Sequence, residues 1–539
     1  MNHGKVVITC ILVLNLLFLP LRMNPSAVLA QSNGFGTVHF ANSCSAEVQK
    51  DFDAAVAMLH SFQYGLAEKA FSQVADADPQ CAIAHWGAAM TFYHQLWDWP
   101  STESLEKGRQ YLERAAPMRK NERETAYLNA AMAFFQPQEN LGRVSRIQAY
   151  CVAMLHVHER YPQDADATAF YALSLLTLPA QAPDRADSQK KSITLLRNLF
   201  ADQPEHPGAA HYLIHAADTA ELAHLALPAA LRYAQIAPSS PHALHMPSHI
   251  FVRLGMWQES IASNLASLAA ADEATESQRD DGSGDAMHAM MYLAYSYLQT
   301  GQDEDARELA ERVSALPGAT ANDIVNNRSI LEALYAVETH DWKQASVLTL
   351  RPTAFPYARV RTFWARAIGA ARTGDILSAR QNLKKLDEAR AGMLAYMRSV
   401  DTQMHMGHSG NSDVSVQQLE AKAWLAWAEG RSAEALNLMR AATRKEEYFS
   451  VESRTVPAYE MLGDMLLELH RPKPALIAYA AALKAAPGRF NAVSGAARAS
   501  RAVGNRDKAR FYYAMLMKCC SPLTRRPELG EAKLFLTAD

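Results

Sequence analysis

AYEMLGDMLLELHRPKPALIAYAAALKAAP, residues 458 to 487, decides the fold: two apolar-striped runs flank a short polar turn, as two helices packed into a hairpin would require. One period of 34 residues later, Ala509 and Tyr513 stand where Ala475 and Tyr479 stand here. A fixed period of this length is the signature of a repeat array. A glycine followed five residues on by alanine recurs at Gly301/Ala306, Gly374/Ala379, Gly430/Ala435 and Gly504/Ala509. Glycine closes a helix cheaply in the left-handed conformation, and alanine lets two helices approach closely.

Tyr459, Leu462, Gly463, Ala475, Tyr479, Ala482 and Pro487 resemble the tetratricopeptide repeat (TPR), a pair of packed helices. Ala67, Phe71 and Pro79, in FQYGLAEKAFSQVADADP, match the second half of the same pattern. The resemblance implies an all-α, right-handed superhelical solenoid of helix-turn-helix repeats, with the first helix of each repeat lining a concave face. Composition agrees, since alanine, leucine, glutamate, arginine and glutamine dominate while β-branched residues are sparse. The array is expected over residues 44–520, preceded by an extension at 31–43 and followed by an irregular tail at 521–539. Breaks are expected at DEATESQRDDGSGD (272–285), LRPTAFP (350–356) and HMGHSGNSD (405–413).

Residues 1–30 read as a secretory signal: Lys5 near the start, the apolar run VVITCILVLNLLFLP, then SAVLA with cleavage expected after Ala30. That reading makes the mature protein periplasmic or secreted, with no membrane insertion once the signal is removed. Loss of Lys5 and Arg22 shifts the formal balance from −3 to −5. An acidic chain with no basic arm argues against nucleic acid as a partner. In an oxidising compartment cysteines pair, and Cys44 with Cys81 is the expected disulfide, because both fall at the starts of first helices in neighbouring hairpins. Cys519 and Cys520 are adjacent, and a bond between neighbours is strained.

Seven of the nineteen histidines lie between residues 206 and 249. HYLIH and HMPSH place His211 and His215, then His245 and His249, on one helix face each, and the two pairs are one repeat length apart. Repeat register puts Asp218 and His242 beside them and His288 in the next repeat. Imidazoles at i, i+4 on adjacent helices can converge on one divalent transition metal ion, with Asp218 ligating or orienting. The same residues could instead line a concave groove for a protein or peptide partner. Neither motif is H-E-x-x-H, since Tyr212 and Met246 occupy the glutamate position, and hydrolysis would need a base such as Asp218 or Glu221. Pro247 either kinks a helix, fanning His245 and His249 toward the groove, or marks a helix start.

HYLIHAAD, HALHMPSHIFVRLGMW, HAMMYLAYSYLQTGQ, HFANSCSAEV and CAIAHWGAAM resemble a family of secreted bacterial TPR proteins. That resemblance implies export, the repeat fold and a histidine groove, and supplies no reaction. Trp86, Met90 and Tyr93 fall in groove register, with Trp97 and Trp99 following, and read as an apolar clamp or as core. MHMGH (404–408) offers soft and borderline copper ligands, and Glu460 and Asp464 read as solvated groove charges. No phosphate loop, nucleophile elbow or paired-carboxylate signature occurs in a plausible context. The expected function is an exported binding scaffold for a protein or peptide in a histidine-lined groove. A metal-binding protein or metalloenzyme is the alternative.

Overall fold

The computed structural model describes residues 34–96, 99–136, 142–179, 185–276, 282–351, 356–400, 410–449, 456–522 and 524–538. The signal segment, Trp97 and MHMGH lie outside the described residues. Those described form helix hairpins stacked in chain order, from Gln49–His60 with Tyr64–Ala77 to Phe490–Ala502 with Arg506–Cys519. Among them no helix is long and apolar enough to cross a membrane.

Sequence punctuation sets the hairpin ends. Gly301, Gly374, Gly430 and Gly504 have φ between 70° and 82°. Equivalent corners are made by Phe62, His340 and His470, with φ of 55° to 57°, each five residues before a buried alanine. These three are invisible to a glycine search, because packing of the following alanine imposes a left-handed corner that the residue itself disfavours. Gly463 shows why the motif holds a glycine there. A Cβ at that position would lie 2.6 Å from the Tyr479 ring, which wedges between the helices of its own and the next repeat.

The array curls tightly enough to touch itself. In its first part, the end of Gln49–His60 returns to Ala165–Leu176 and Pro207–Ala216, where the His60 ring bonds Asp166 and Tyr212. In its second part, fully buried Arg489 returns to Ser283–Gln299, binding Tyr295 Oη at 2.7 Å and the carboxylates of Glu338 at 2.8 Å and Glu460 at 2.9 Å. Glu460 is therefore a buried ion-pair partner, not a solvated charge, because Arg489 neutralises it inside the stack. Asp464 is likewise enclosed and accepts a hydrogen bond from Tyr479 Oη at 2.7 Å.

Two expected irregular segments are structured. Residues 34–43 strap the repeats together: Phe35, Val38 and Phe40 are buried, Thr37 N donates to Glu205 O, and Ser239 N donates to Gly34 O. The tail contains the helix Pro527–Thr537, which buries Leu529 and Ala532 against Arg506–Cys519. Arg526 anchors it to Asp303 at 2.6 Å. Both segments cover apolar helix faces that an end repeat would otherwise leave open. A disulfide joins Cys44 to Cys81 across a Cα separation of 4.8 Å. Cys519 and Cys520 are thiols, and burial pushes Cys520 up to about 12.

Trp86, Met90 and Tyr93 do not line a groove. All three are buried, Trp86 among Phe40, Tyr127 and Phe170 and Tyr93 stacked on Phe134 at 3.7 Å. The strap supplies Phe40 to this cluster, so the face that sequence register leaves open is closed by the extension preceding the array.

Candidate metal centre

The two histidine-pair helices begin alike. His206 Nδ1 and Ser240 Oγ cap them by accepting from the backbone three residues on, Pro207 and Pro241 follow as first helical residues, and the paired histidines then fall at equal distances. The cap and proline, 34 residues apart, thus fix the register in which His211 matches His245 and His215 matches His249. Pro247 interrupts the second helix. Pro241–His245 and Pro247–Leu254 meet at Met246, which keeps helical dihedrals, so the chain bends without unwinding. Ser263 Oγ, on the packed helix Trp257–Glu276, donates to the Leu244 carbonyl at the bend.

Six imidazoles gather into two trios. His211, His215 and His242 bring one ring nitrogen each to within 4.8 Å of one another, and so do His245, His249 and His288. His211 Nε2 lies 3.0 Å from His242 Nε2 and 3.1 Å from His215 Nε2. His245 Nε2 lies 3.1 Å from His249 Nε2, and the His288 ring is 4.5 Å from that of His245. The sequence groups His211 and His215 with His245 and His249; the structure divides these pairs and completes each with a ring from the flanking register, His242 or His288.

The outer nitrogens are held by acceptors. His211 Nδ1 donates to the His60 carbonyl at 2.6 Å. His245 Nδ1 donates to Asn264 Oδ1 at 2.6 Å, and the Asn264 amide is oriented by donating to Ser260 O at 2.7 Å. His249 Nδ1 donates to Asp218 Oδ2 at 2.8 Å, with Tyr292 Oη 3.1 Å away, and Asp218 Oδ1 accepts from Arg253 Nε at 2.9 Å. Asp285 Oδ1 stands 3.7 Å from His242 Nδ1. The contacts of His211, His245 and His249 put a proton on Nδ1 and turn Nε2 inward.

Electrostatics keep His211 and His242 neutral and Asp218 charged. Burial pushes His211 down to about 3, partly opposed by the His60 carbonyl, and lowers His242 well below the ordinary imidazole value, with its neighbouring histidines adding to the effect. Burial of Asp218 would raise its carboxyl, but Arg253 and His249 outweigh that and hold it well below the usual range. The Nε2 atoms of His245 and His249 face each other across 3.1 Å, a spacing that lets both rings bind one cation.

His60, Asp166 and His206 form a third close group that has no such conflict. His206 Nδ1 accepts from Ala209 N, so its Nε2 carries the proton, 3.4 Å from Asp166 Oδ1. His60 Nε2 donates to the same oxygen at 2.9 Å while Tyr212 Oη donates to Nδ1. Both nitrogens of His60 find complementary partners, and the group reads as a hydrogen-bonded strut. A cavity of about 690 Å³, lined in part by Thr37, His39, Arg123, Asp166 and His206, opens onto this strut rather than onto the six imidazoles.

The open histidine groove expected from sequence is closed. His211, His242, His245 and His249 are 0%, 3%, 1% and 8% exposed, leaving only His215 and His288 half-buried. Phe62 arrives from the first hairpin to pack 4.4 Å from His211, and Tyr292 covers His249 at 4.6 Å. Curling of the array causes this, bringing residues 60–62 against a helix about 150 positions away. Sequence reasoning missed His60, Phe62, Arg253, Asn264 and Tyr292. One signal was present: HAMMY repeats the spacing of HYLIH and HMPSH with tyrosine in the last place.

Comparison of the sequence with curated proteins gives no match. Among solved structures, the human IFIT1 dimer with m7Gppp-AAAA is 12% identical, with 81% of this chain and 90% of that chain covered and a TM-score of 0.37. The P58(IPK) TPR domain is 15% identical, with 91% and 98% covered and a TM-score of 0.19. Likeness at that level carries no argument about ligands. The family model for the tetratricopeptide repeat matches residues 63–127, 264–320 and 420–490, one segment in each third of the chain. With its stacked hairpins, this chain is an all-helical solenoid that carries tetratricopeptide repeats, and proteins with such repeats commonly act as scaffolds that bind other proteins.

Proposed function

We propose that this scaffold binds divalent transition metal ions through the inward Nε2 atoms of its two histidine trios. The observation that carries the reading is the His245–His249 contact, where two rings whose Nδ1 atoms meet acceptors bring their Nε2 atoms to within 3.1 Å of each other. Imidazole trios are the donor set of open zinc and copper sites, and here the Nδ1 atoms of His211, His245 and His249 are anchored by a carbonyl, an amide and a carboxylate. Burial of four of the six rings favours an ion over a docked peptide as the resident of this site. A protein partner, in keeping with the repeat class, would engage other surfaces. We further place the protein in the periplasm or outside the cell, a reading supported by the apolar segment before Ala30 and by the Cys44–Cys81 disulfide.

The test is elemental analysis of protein purified without an affinity tag, beside a variant carrying His215→Ala and His249→Ala. Stoichiometric zinc, copper, iron or manganese in the parent, absent from the variant, is the expected result. Metal-free parent protein whose melting temperature does not move when these ions are added would refute the reading.

A further inference from the structure

We infer that the two trios form one two-ion centre whose ions share a single small bridging anion of the hydroxide or azide class. This rests on the metal-binding reading above and specifies how the sites act together. The trios are in direct contact: the ring of His215 lies 6.1 Å from that of His249, and the ring of His242 lies 6.4 Å from that of His245. These contacts run between the helix Pro207–Ala216 and the bent helix that follows it, and within the bent helix itself, so no element separates the two donor sets.

Three imidazoles leave each ion a coordination position to fill. Asp218 lies at the Nδ1 edge of His249, where it orients that ring, and Asp285 stands 3.7 Å from Nδ1 of His242. Two ions held in adjoining trios are bridged most simply by one small anion. Each trio contains one half-buried member, His215 or His288, while Phe62 and Tyr292 cover the remaining rings. Enclosure of this degree favours water, hydroxide or a triatomic anion over a peptide.

The experiment loads metal-free full-length protein with Cu(II) alone, counts bound ions, records the electron paramagnetic resonance spectrum, and titrates with azide. Expected are two ions per chain, loss of most of the Cu(II) resonance through coupling, and saturation at one azide per two ions. In His288→Ala, whose substitution falls on a half-buried ring, one ion should remain, with its resonance restored to full intensity. Two ions giving full, uncoupled resonance, saturation at two azides per chain, or a single bound ion in the parent would overturn the two-ion centre and leave the metal-binding reading standing. Absence of bound copper, with no other metal retained, would defeat both.

Discussion

Replacing Asp218 with asparagine removes one charge and nearly no volume, and the surrounding geometry fixes the consequence. Asp218 accepts two hydrogen bonds, from His249 Nδ1 at 2.8 Å and from Arg253 Nε at 2.9 Å, on different oxygens. An amide has one accepting oxygen. If that oxygen faces Arg253, the NH2 group faces His249, whose Nδ1 must then accept; the ring proton moves to Nε2 and points at the ion. If it faces His249, the amide opposes the Arg253 guanidinium, a clash of donors beside a buried charge costing about 1–3 kcal/mol. Loss of such an outer partner typically weakens metal affinity by 10- to 100-fold, or about 1.4–2.7 kcal/mol. That loss should fall on the ion held by His245, His249 and His288, leaving the other trio near parental affinity. Competition with a chelator, resolved into two binding steps, measures it, and circular dichroism confirms that the variant is folded. Parental affinity in both steps, or equal weakening of both, would show that the carboxylate does not orient His249 for a ligand.

Reduction of Cys44–Cys81, which closes a separation of 37 residues, should lower stability by about 4 kcal/mol on chain entropy, read as a shift in chemical-denaturation midpoint with and without reductant. Gly463→Ala places a methyl group 2.6 Å from the Tyr479 ring, and about 1–3 kcal/mol of destabilisation by calorimetry is expected; an unchanged melting temperature would contradict the close approach. Burial, reinforced by the nearby carboxylate of Glu460, pushes the Asp464 carboxyl up to about 7, well above the ordinary carboxylate range. Because the folded form holds the proton more tightly, stabilisation from this group is full below the unfolded pKa near 4 and is lost as pH rises through about 7. Asp464→Asn should flatten that part of the stability–pH profile, a change on the order of 1–3 kcal/mol between pH 5 and 8 in denaturant titrations.

The 34-residue period, the helical hairpins and the two H-x-x-x-H faces are legible in the sequence because each depends on local rules. Helix geometry puts residues four apart on one face, and a cap with proline at 206–207 and 240–241 fixes where counting begins. The glycine corners are legible for the same reason, whereas those at His340 and His470 are not, since the residue there opposes the conformation that packing imposes. Local rules do not say how strongly the array curves. Curvature is the sum of small rotations at every hairpin interface, and it alone brings the His60 carbonyl to His211, Phe62 over the imidazoles and Arg489 to Glu338. The same summation sends His242 to the pair His211–His215 and His288 to the pair His245–His249, making two trios from histidines that the sequence arranges as two pairs with neighbours. Spacing within a helix is written residue by residue, but the meeting of helices depends on the shape of everything between them.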